Sequence, residues 1–186
     1  DQTAGALLLV QCDGRDAAAE AEVCALACTA AGATEVYDTA DPVEGEEFMA
    51  ARRVALTALE RCGSTLLDDL AVPVPRLPEM LAAVETIAAR HDLLIGTFGH
   101  AADGNLHPTI VFDAADESVA RRARQAFDEM VAECLALGGS ISGEHGIGVL
   151  KQPYLETQVG TVERALMPRI KAAFDPTGIL NPGRGI

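Results

Sequence analysis

Hydrophobic and polar positions follow two different periods along the chain, and the changes of period predict its elements. Short apolar runs over residues 4–12 and 33–38 flank an Ala-rich stretch over 16–31, which predicts a strand, a helix and a strand. Helical spacing then runs from Asp41, a cap residue before Pro42, to about Arg61. The first third of the chain is therefore expected to contain a β-α-β unit followed by a long helix.

The rest of the chain alternates strands and helices. Residues 64–72 have strand character, three prolines keep residues 73–78 extended, and helical spacing predicts helices from about 78 to 91, over 115–137 and over 161–174. Residues 94–99 and 106–112 predict two strands joined by a turn. Strands joined by hairpins and short helical connections predict an α+β fold, with an antiparallel sheet that packs helices on one face.

Composition narrows the class of protein. The chain has 186 residues, of which 49% are hydrophobic and 23% charged, and no linker-like segment divides it, so one domain over residues 1–186 is expected. The net charge of −14 argues against a nucleic-acid partner, and no apolar run is long enough to predict a membrane span. Five cysteines, an odd number without metal-type spacing, predict free thiols and a cytoplasmic location.

The segment FGHAADGNLHPTI, residues 98–110, places His100 and His107 on either side of a turn around Asp103-Gly104-Asn105. On paired strands, cross-strand neighbours on one face lie about 4.5 to 5.5 Å apart, so two imidazoles could share a metal ion. Asp-Gly-Asn is also ordinary turn chemistry, and flanking histidines can bind backbone carbonyls instead. The segment alone leaves both interpretations open.

The segment SGEHGIGVLK, residues 142–151, places Glu144 beside His145 among three glycines. Glycines let the backbone approach a bound molecule closely, so one side chain could bind a metal while the other faces a reacting atom. A flexible loop with two solvated side chains is the alternative. The glycine spacing matches neither the dinucleotide fingerprint nor the Walker pattern, which excludes a nucleotide-binding role for this segment.

Together these segments carry a resemblance to a known family. GHAADGNLHPTI resembles the GHxGDGNLH motif and SGEHGIGVLKQPYL the SGEHGIGxxK motif of the FAD-linked oxidases related to glycolate oxidase, D-lactate dehydrogenase and D-2-hydroxyglutarate dehydrogenase. DDLAVPVPRLPEM and FDPTGILNPGRGI are similar to two further landmarks of that family. The resemblance implies its C-terminal substrate domain, a ferredoxin-like-derived cap, with the flavin-binding domain expected to be absent from this chain.

The resemblance also implies a site. His100, His107 and Glu144 would hold a divalent metal, Zn, Mn or Fe, and His145 would be the general base. Arg52 and Asn105 would bind the substrate. With the metal as Lewis acid and FAD as hydride acceptor, a D-2-hydroxy acid would be oxidised to the 2-oxo acid.

Two departures from the family pattern bear on the substrate. Ala102 replaces a glycine in the turn, and Leu67 stands where the hydroxyglutarate-type enzymes have a lysine, which favours a small substrate such as lactate or glycolate. The expected partners are that substrate and a covalently linked N-terminal FAD domain, with a homodimer as one option for assembly. A stand-alone metal-binding or interaction module without redox activity and a metal-dependent hydrolase are the alternatives.

Overall fold

A computed structural model describes residues 5–185, and the chain divides into two compact units, residues 1–55 and 56–186. The first unit contains two helices, α1 (Ala17–Ala30) and α2 (Pro42–Arg53). α2 begins where the sequence predicts, because the side chain of Asp41 accepts a hydrogen bond of 2.8 Å from the amide of Val43 and Pro42 occupies the first helical position.

Two expectations for this part of the chain are wrong. Residues 5–12 and 33–38 form no strand, because a strand needs a hydrogen-bonded partner and these segments have exposed side chains such as Leu7 and Tyr37. The long helix to Arg61 is instead two helices, α2 and α3 (Ala55–Glu60). Between them, the amide of Val54 donates to the carbonyl of Ala51, three residues back, which tightens the turn and ends α2.

The second unit is built on an antiparallel sheet, as the sequence predicts, and the sheet has four strands. The strands are β1 (Ser64–Leu67), β2 (Leu70–Ala71), β3 (Leu94–His100) and β4 (Asn105–Phe112). β4 is central, since β3 pairs along one edge while β1 and β2 pair along the other. The α+β class is therefore confirmed, and β3 and β4 lie within one residue of their predicted bounds.

The predicted strand over 64–72 is interrupted at Asp68-Asp69. The register is the same on both sides of the break, with Leu67 opposite Thr109 and Leu70 opposite Leu106. This register places Asp68 opposite Pro108, and the amide of Asp68 donates to the Pro108 carbonyl at 2.9 Å. Proline has no amide proton to return, so the ladder loses one hydrogen bond at this point.

Two long helices cover one face of the sheet, as predicted. They are α4 (Leu77–His91) and α5 (Glu117–Ala136). Their buried side chains pack with alternate residues of β2 and β4 into one core, whose members include Leu70, Met80, Leu106, Ile110, Phe127 and Met130. Because alternate strand residues point to opposite faces, the side chains on the other face of β4 lie outside this core and are available for a functional site.

The remainder of the second unit follows α5. Residues 137–151 form a loop joined to β2 by an isolated bridge between Ser140 and Ala71. After a 3₁₀ turn at Gln152–Tyr154 come α6 (Leu155–Gln158) and the predicted final helix, α7 (Thr161–Phe174). Within residues 5–185, no helix is both long and apolar enough to cross a membrane.

The core makes a matched prediction for two phenylalanines. Phe127 is fully buried between the sheet and the helices, whereas Phe174 at the end of α7 is 82% exposed. We expect Phe127→Ala to lower the free energy of unfolding by about 3 to 5 kcal/mol because it opens a cavity. Phe174→Ala is expected to change it by less than about 0.5 kcal/mol. Urea denaturation measures both, and equal losses would contradict this description of the core.

Candidate metal centre

Polar side chains gather on the face of the sheet that α4 and α5 leave open. His100 ends β3 and pairs with Asn105, the first residue of β4, while His107 pairs with Phe98. Residues two apart on a strand share a face, so His100 and His107 are diagonal neighbours on the same side of the hairpin. Their ring centroids lie 5.5 Å apart.

The turn that brings the two histidines together depends on glycine. Gly104 has a φ of +75°, and a Cβ there would lie 2.0 Å from the carbonyl oxygen of Val72. A side chain would therefore be both strained and blocked. The carbonyl of Gly104 accepts a hydrogen bond of 2.9 Å from the amide of Val72, which fixes the turn against the end of β2.

Glu144 from the loop after α5 reaches both histidines. Its Oε1 lies 3.3 Å from Nε2 of His107 and 3.5 Å from Nε2 of His100. Ligand atoms placed tetrahedrally at about 2.0 to 2.2 Å from one ion are about 3.4 Å apart. The two separations match that spacing, and two imidazoles with one carboxylate are a donor set that divalent metals accept. These residues therefore fit a divalent ion.

His107 is held in the state that a metal ligand requires. It is 4% exposed, packs against Phe98, and burial lowers its pKa below the usual value although the negative charge of Asp69 opposes this. A neutral imidazole has a free lone pair for a metal. Its Nδ1 is buried without a hydrogen-bond partner among residues 5–185 and faces Oδ1 of Asp69 at 3.7 Å.

Asp69 is the residue of the site that sequence reasoning missed. Its Oδ2 accepts hydrogen bonds from the amides of Gly143, Glu144 and His145 at 3.0, 3.0 and 2.8 Å, and from the hydroxyl of Ser142 at 3.0 Å. Burial alone would raise the pKa of Asp69, but these hydrogen bonds outweigh it and the pKa is lowered. The signal in the sequence was an acidic pair inside an apolar strand pattern.

His145 lies beside the three ligands. Its ring stacks on His107 with centroids 4.9 Å apart and planes 13° apart, and its Nε2 is 3.7 Å from Oε1 of Glu144. Asp69, His107 and His145 form a second group whose donor atoms converge. Because Oδ2 of Asp69 already accepts four hydrogen bonds, this group is the poorer metal site. His145 is half exposed, which leaves it accessible to a substrate.

The two residues expected to bind substrate lie in different units. Asn105 is 5% exposed and lies on the same face as the histidines, and its Oδ1 is buried with no hydrogen-bond partner in the described part of the chain. The side-chain amide of Asn105 packs closely against the loop after α5, because a Cβ on Gly143 would lie 2.4 Å from Oδ1 of Asn105. Arg52 is exposed in the last turn of α2, in the first unit, and its contact with substrate stays a prediction.

Comparisons with known proteins agree with the resemblance. Residues 1–184 match the family model for FAD linked oxidases, C-terminal domain. Glycolate oxidase subunit GlcD of Bacillus subtilis (strain 168) is 40% identical over 98% of the chain, and its counterpart in Escherichia coli (strain K12) is 38% identical over 84%. D-Lactate dehydrogenase of Anaerostipes hadrus is 37% identical over 83%.

The chain therefore belongs to the family of FAD-linked oxidase C-terminal domains. It spans 39%, 32% and 33% of the length of these three relatives, respectively. Most of each relative therefore has no counterpart in this chain. The binding and catalysis of the whole relatives also depend on those other segments.

The contact between Gly143 and Asn105 makes the site sensitive to one methyl group. We expect Gly143→Ala to lower the free energy of unfolding by about 1 to 3 kcal/mol, because the loop or the amide must move to admit it. Gly45→Ala in α2 is the control, since a Cβ there meets nothing within 4 Å and alanine favours a helix. A Gly143→Ala variant as stable as the wild type would contradict the described packing.

Proposed function

We propose that this chain is the substrate- and metal-binding domain of an FAD-dependent dehydrogenase or oxidase that converts a small D-2-hydroxy acid into the 2-oxo acid. The observation that carries the proposal is the convergence of Glu144 with His100 and His107, with His145 at their side. The identities of the relatives as glycolate oxidase and D-lactate dehydrogenase support a hydroxy-acid substrate.

In this proposal His100, His107 and Glu144 hold Zn, Mn or Fe, which two imidazoles and a carboxylate suit. Such an ion supplies Lewis-acid polarisation of the substrate hydroxyl, and FAD supplies the capacity to accept the hydride equivalent. These three side chains would hold the ion while leaving the site open to a substrate. The lowered pKa of His107 supports the assignment, since burial favours the neutral imidazole, which has a lone pair to donate.

The residues around the ligands take the other roles. His145 accepts the hydroxyl proton at a ring nitrogen, and its half-exposed ring leaves room for a substrate to approach. Asn105 pairs with His100 across the hairpin and lies on the same face as the candidate ligands, which supports a place beside a bound molecule. A pairing of Arg52 with the substrate carboxylate, a role suited to a guanidinium, stays a prediction.

Leu67 supports a small substrate. It is half-buried on β1, and because it lies two residues before Asp69 it points to the same face of the sheet as the candidate ligands. An apolar side chain offers no partner to a second, distal carboxylate, so lactate or glycolate suits this face better than 2-hydroxyglutarate.

The proposal extends to the whole protein. Residues 1–184 match a model named as a C-terminal domain of FAD-linked oxidases, which supports one functional domain over 1–186 working with a covalently linked N-terminal FAD domain. A cytoplasmic location and a homodimer stay predictions. The cysteines at positions 12, 24, 28, 62 and 134 are all free thiols, in agreement with a reducing compartment.

Metal affinity should distinguish His107, a candidate ligand, from His91, the histidine that lies outside the candidate site. His107→Ala is expected to weaken Co²⁺ binding by at least about 100-fold, since it removes a ligand and not merely an outer partner. His91→Ala is the matched control, because His91 bonds Glu129 at 2.9 Å between α4 and α5. Titration followed by the visible spectrum of Co²⁺ measures both. Equal affinities in the two variants would remove His107 from the metal site.

The role of His145 is tested in a protein that carries both this domain and the flavin-binding domain. His145→Ala should retain metal but lose turnover of D-lactate or glycolate by roughly 10²- to 10⁴-fold, the usual contribution of a general base. Metal content and steady-state turnover are measured together. Unchanged turnover would exclude His145 as the base, and turnover without flavin would overturn the proposed reaction in favour of a hydrolase or another flavin-independent activity.

A further inference from the structure

Two features of the sequence have no role in the proposed reaction. One is the acidic pair Asp68-Asp69 in the strand region, and the other is Lys151 at the end of the SGEHGIGVLK segment. The structure brings them together. All three side chains are at most 5% exposed, so their charges must be satisfied within the protein.

The carboxylate of Asp69 binds the start of the loop. Successive amides of residues 143–145 point at one oxygen, Oδ2, and the hydroxyl of Ser142 completes the set. Converging backbone amides make an anion-binding nest, and here the anion belongs to the protein itself. The hydroxyl of Ser142 also accepts a hydrogen bond of 2.8 Å from the amide of Gly146, which closes the turn.

Lys151 binds the same acidic pair from the far end of the segment. Its Nζ lies 2.7 Å from Oδ1 of Asp68 and also donates to the backbone carbonyl of Asp69. Asp68 and Asp69 are consecutive strand residues, so their side chains point to opposite faces. The segment 142–151 is thus attached to the break between β1 and β2 at both of its ends.

The carboxylate of Asp69 also lies next to His107, one of the candidate metal ligands. The register places Asp69 opposite His107, and its Oδ1 is 3.7 Å from the unpartnered Nδ1 of that ring. A carboxylate behind an imidazole favours the tautomer with the proton on Nδ1, which leaves Nε2 free for a metal. Nε2 is the atom that lies 3.3 Å from Glu144.

We propose that Asp69 is a positioning residue that holds Glu144 and His145 against the β3-β4 hairpin and keeps Nε2 of His107 directed at Glu144. The inference rests on the proposed metal centre. It assigns Asp69 no direct bond to metal or substrate, because Oδ2 is already occupied by four donors and Oδ1 faces Nδ1 of His107. The role is to bring a ligand and the candidate base from a loop to two ligands on strands.

Asp69→Asn tests this role by two measurements on the chain. An amide side chain keeps the size but replaces one acceptor oxygen with a donor, so hydrogen exchange at residues 143–145 of the metal-free chain should accelerate by about tenfold or more. Co²⁺ affinity should fall by about 10- to 100-fold, and the visible spectrum of bound Co²⁺ should change. Ser142→Ala removes one of the four donors to Asp69 together with the acceptor of the Gly146 amide. It should produce a smaller change of the same sign and serves if Asp69→Asn does not fold.

Asp103→Asn is the matched control. It makes the same chemical change at an exposed position of the hairpin turn, and it should leave both measurements at wild-type values. Exchange at 143–145 that stays at the wild-type rate in Asp69→Asn would overturn the inference. So would faster exchange with unchanged Co²⁺ affinity, since the loop would then be anchored without serving the site. A wild-type chain that binds no Co²⁺ would instead contradict the proposed function, while the exchange data would still test the anchoring.

Discussion

A carboxylate buried beside the central strand of a sheet must find hydrogen-bond donors inside the protein. Asp69 finds them in the backbone of residues 143–145, more than seventy positions later in the chain. The solvation that burial removes is replaced by short hydrogen bonds to the charged form, and the lowered pKa of Asp69 reflects their strength. Because the donors are backbone amides, the interaction fixes the path of the loop and thereby the origin of the Glu144 and His145 side chains.

The sheet supplies the other half of the site through its register. Antiparallel pairing puts His100 and His107 on one face as diagonal neighbours, while the helices bury the opposite face of β4. Burial then gives His107 and His145, whose rings stack, different environments. His107 is almost fully enclosed, and burial lowers its pKa, whereas His145 is half exposed beside it. A buried ligand next to an accessible base is an arrangement that suits metal-assisted proton removal from a bound hydroxyl.

Local patterns predicted the parts of the fold that local chemistry controls. The hairpin followed from strand periodicity around Asp103-Gly104-Asn105, and α4 and α5 followed from apolar spacing. The strands expected over residues 4–12 and 33–38 were wrong where the structure describes them, because an apolar run becomes a strand only when a partner pairs with it. The break between β1 and β2 was also missed, since it depends on Pro108 in a strand that is distant in sequence.

In the candidate site, spacing within each motif could not show that Glu144 meets His107, and only the family resemblance joined the two segments. The role of Asp69 does not follow from the sequence, because its partners are backbone amides, which no side-chain pattern reveals.

Whether His100, His107 and Glu144 hold one divalent ion is tested most directly by a crystal of the chain grown with Zn²⁺, with diffraction data recorded above and below the zinc absorption edge. We expect one strong anomalous peak at bonding distance, about 2.0 to 2.2 Å, from Nε2 of both histidines and from the Glu144 carboxylate. A peak between Asp69 and His145, or no peak at the hairpin, would contradict the assignment of these three ligands.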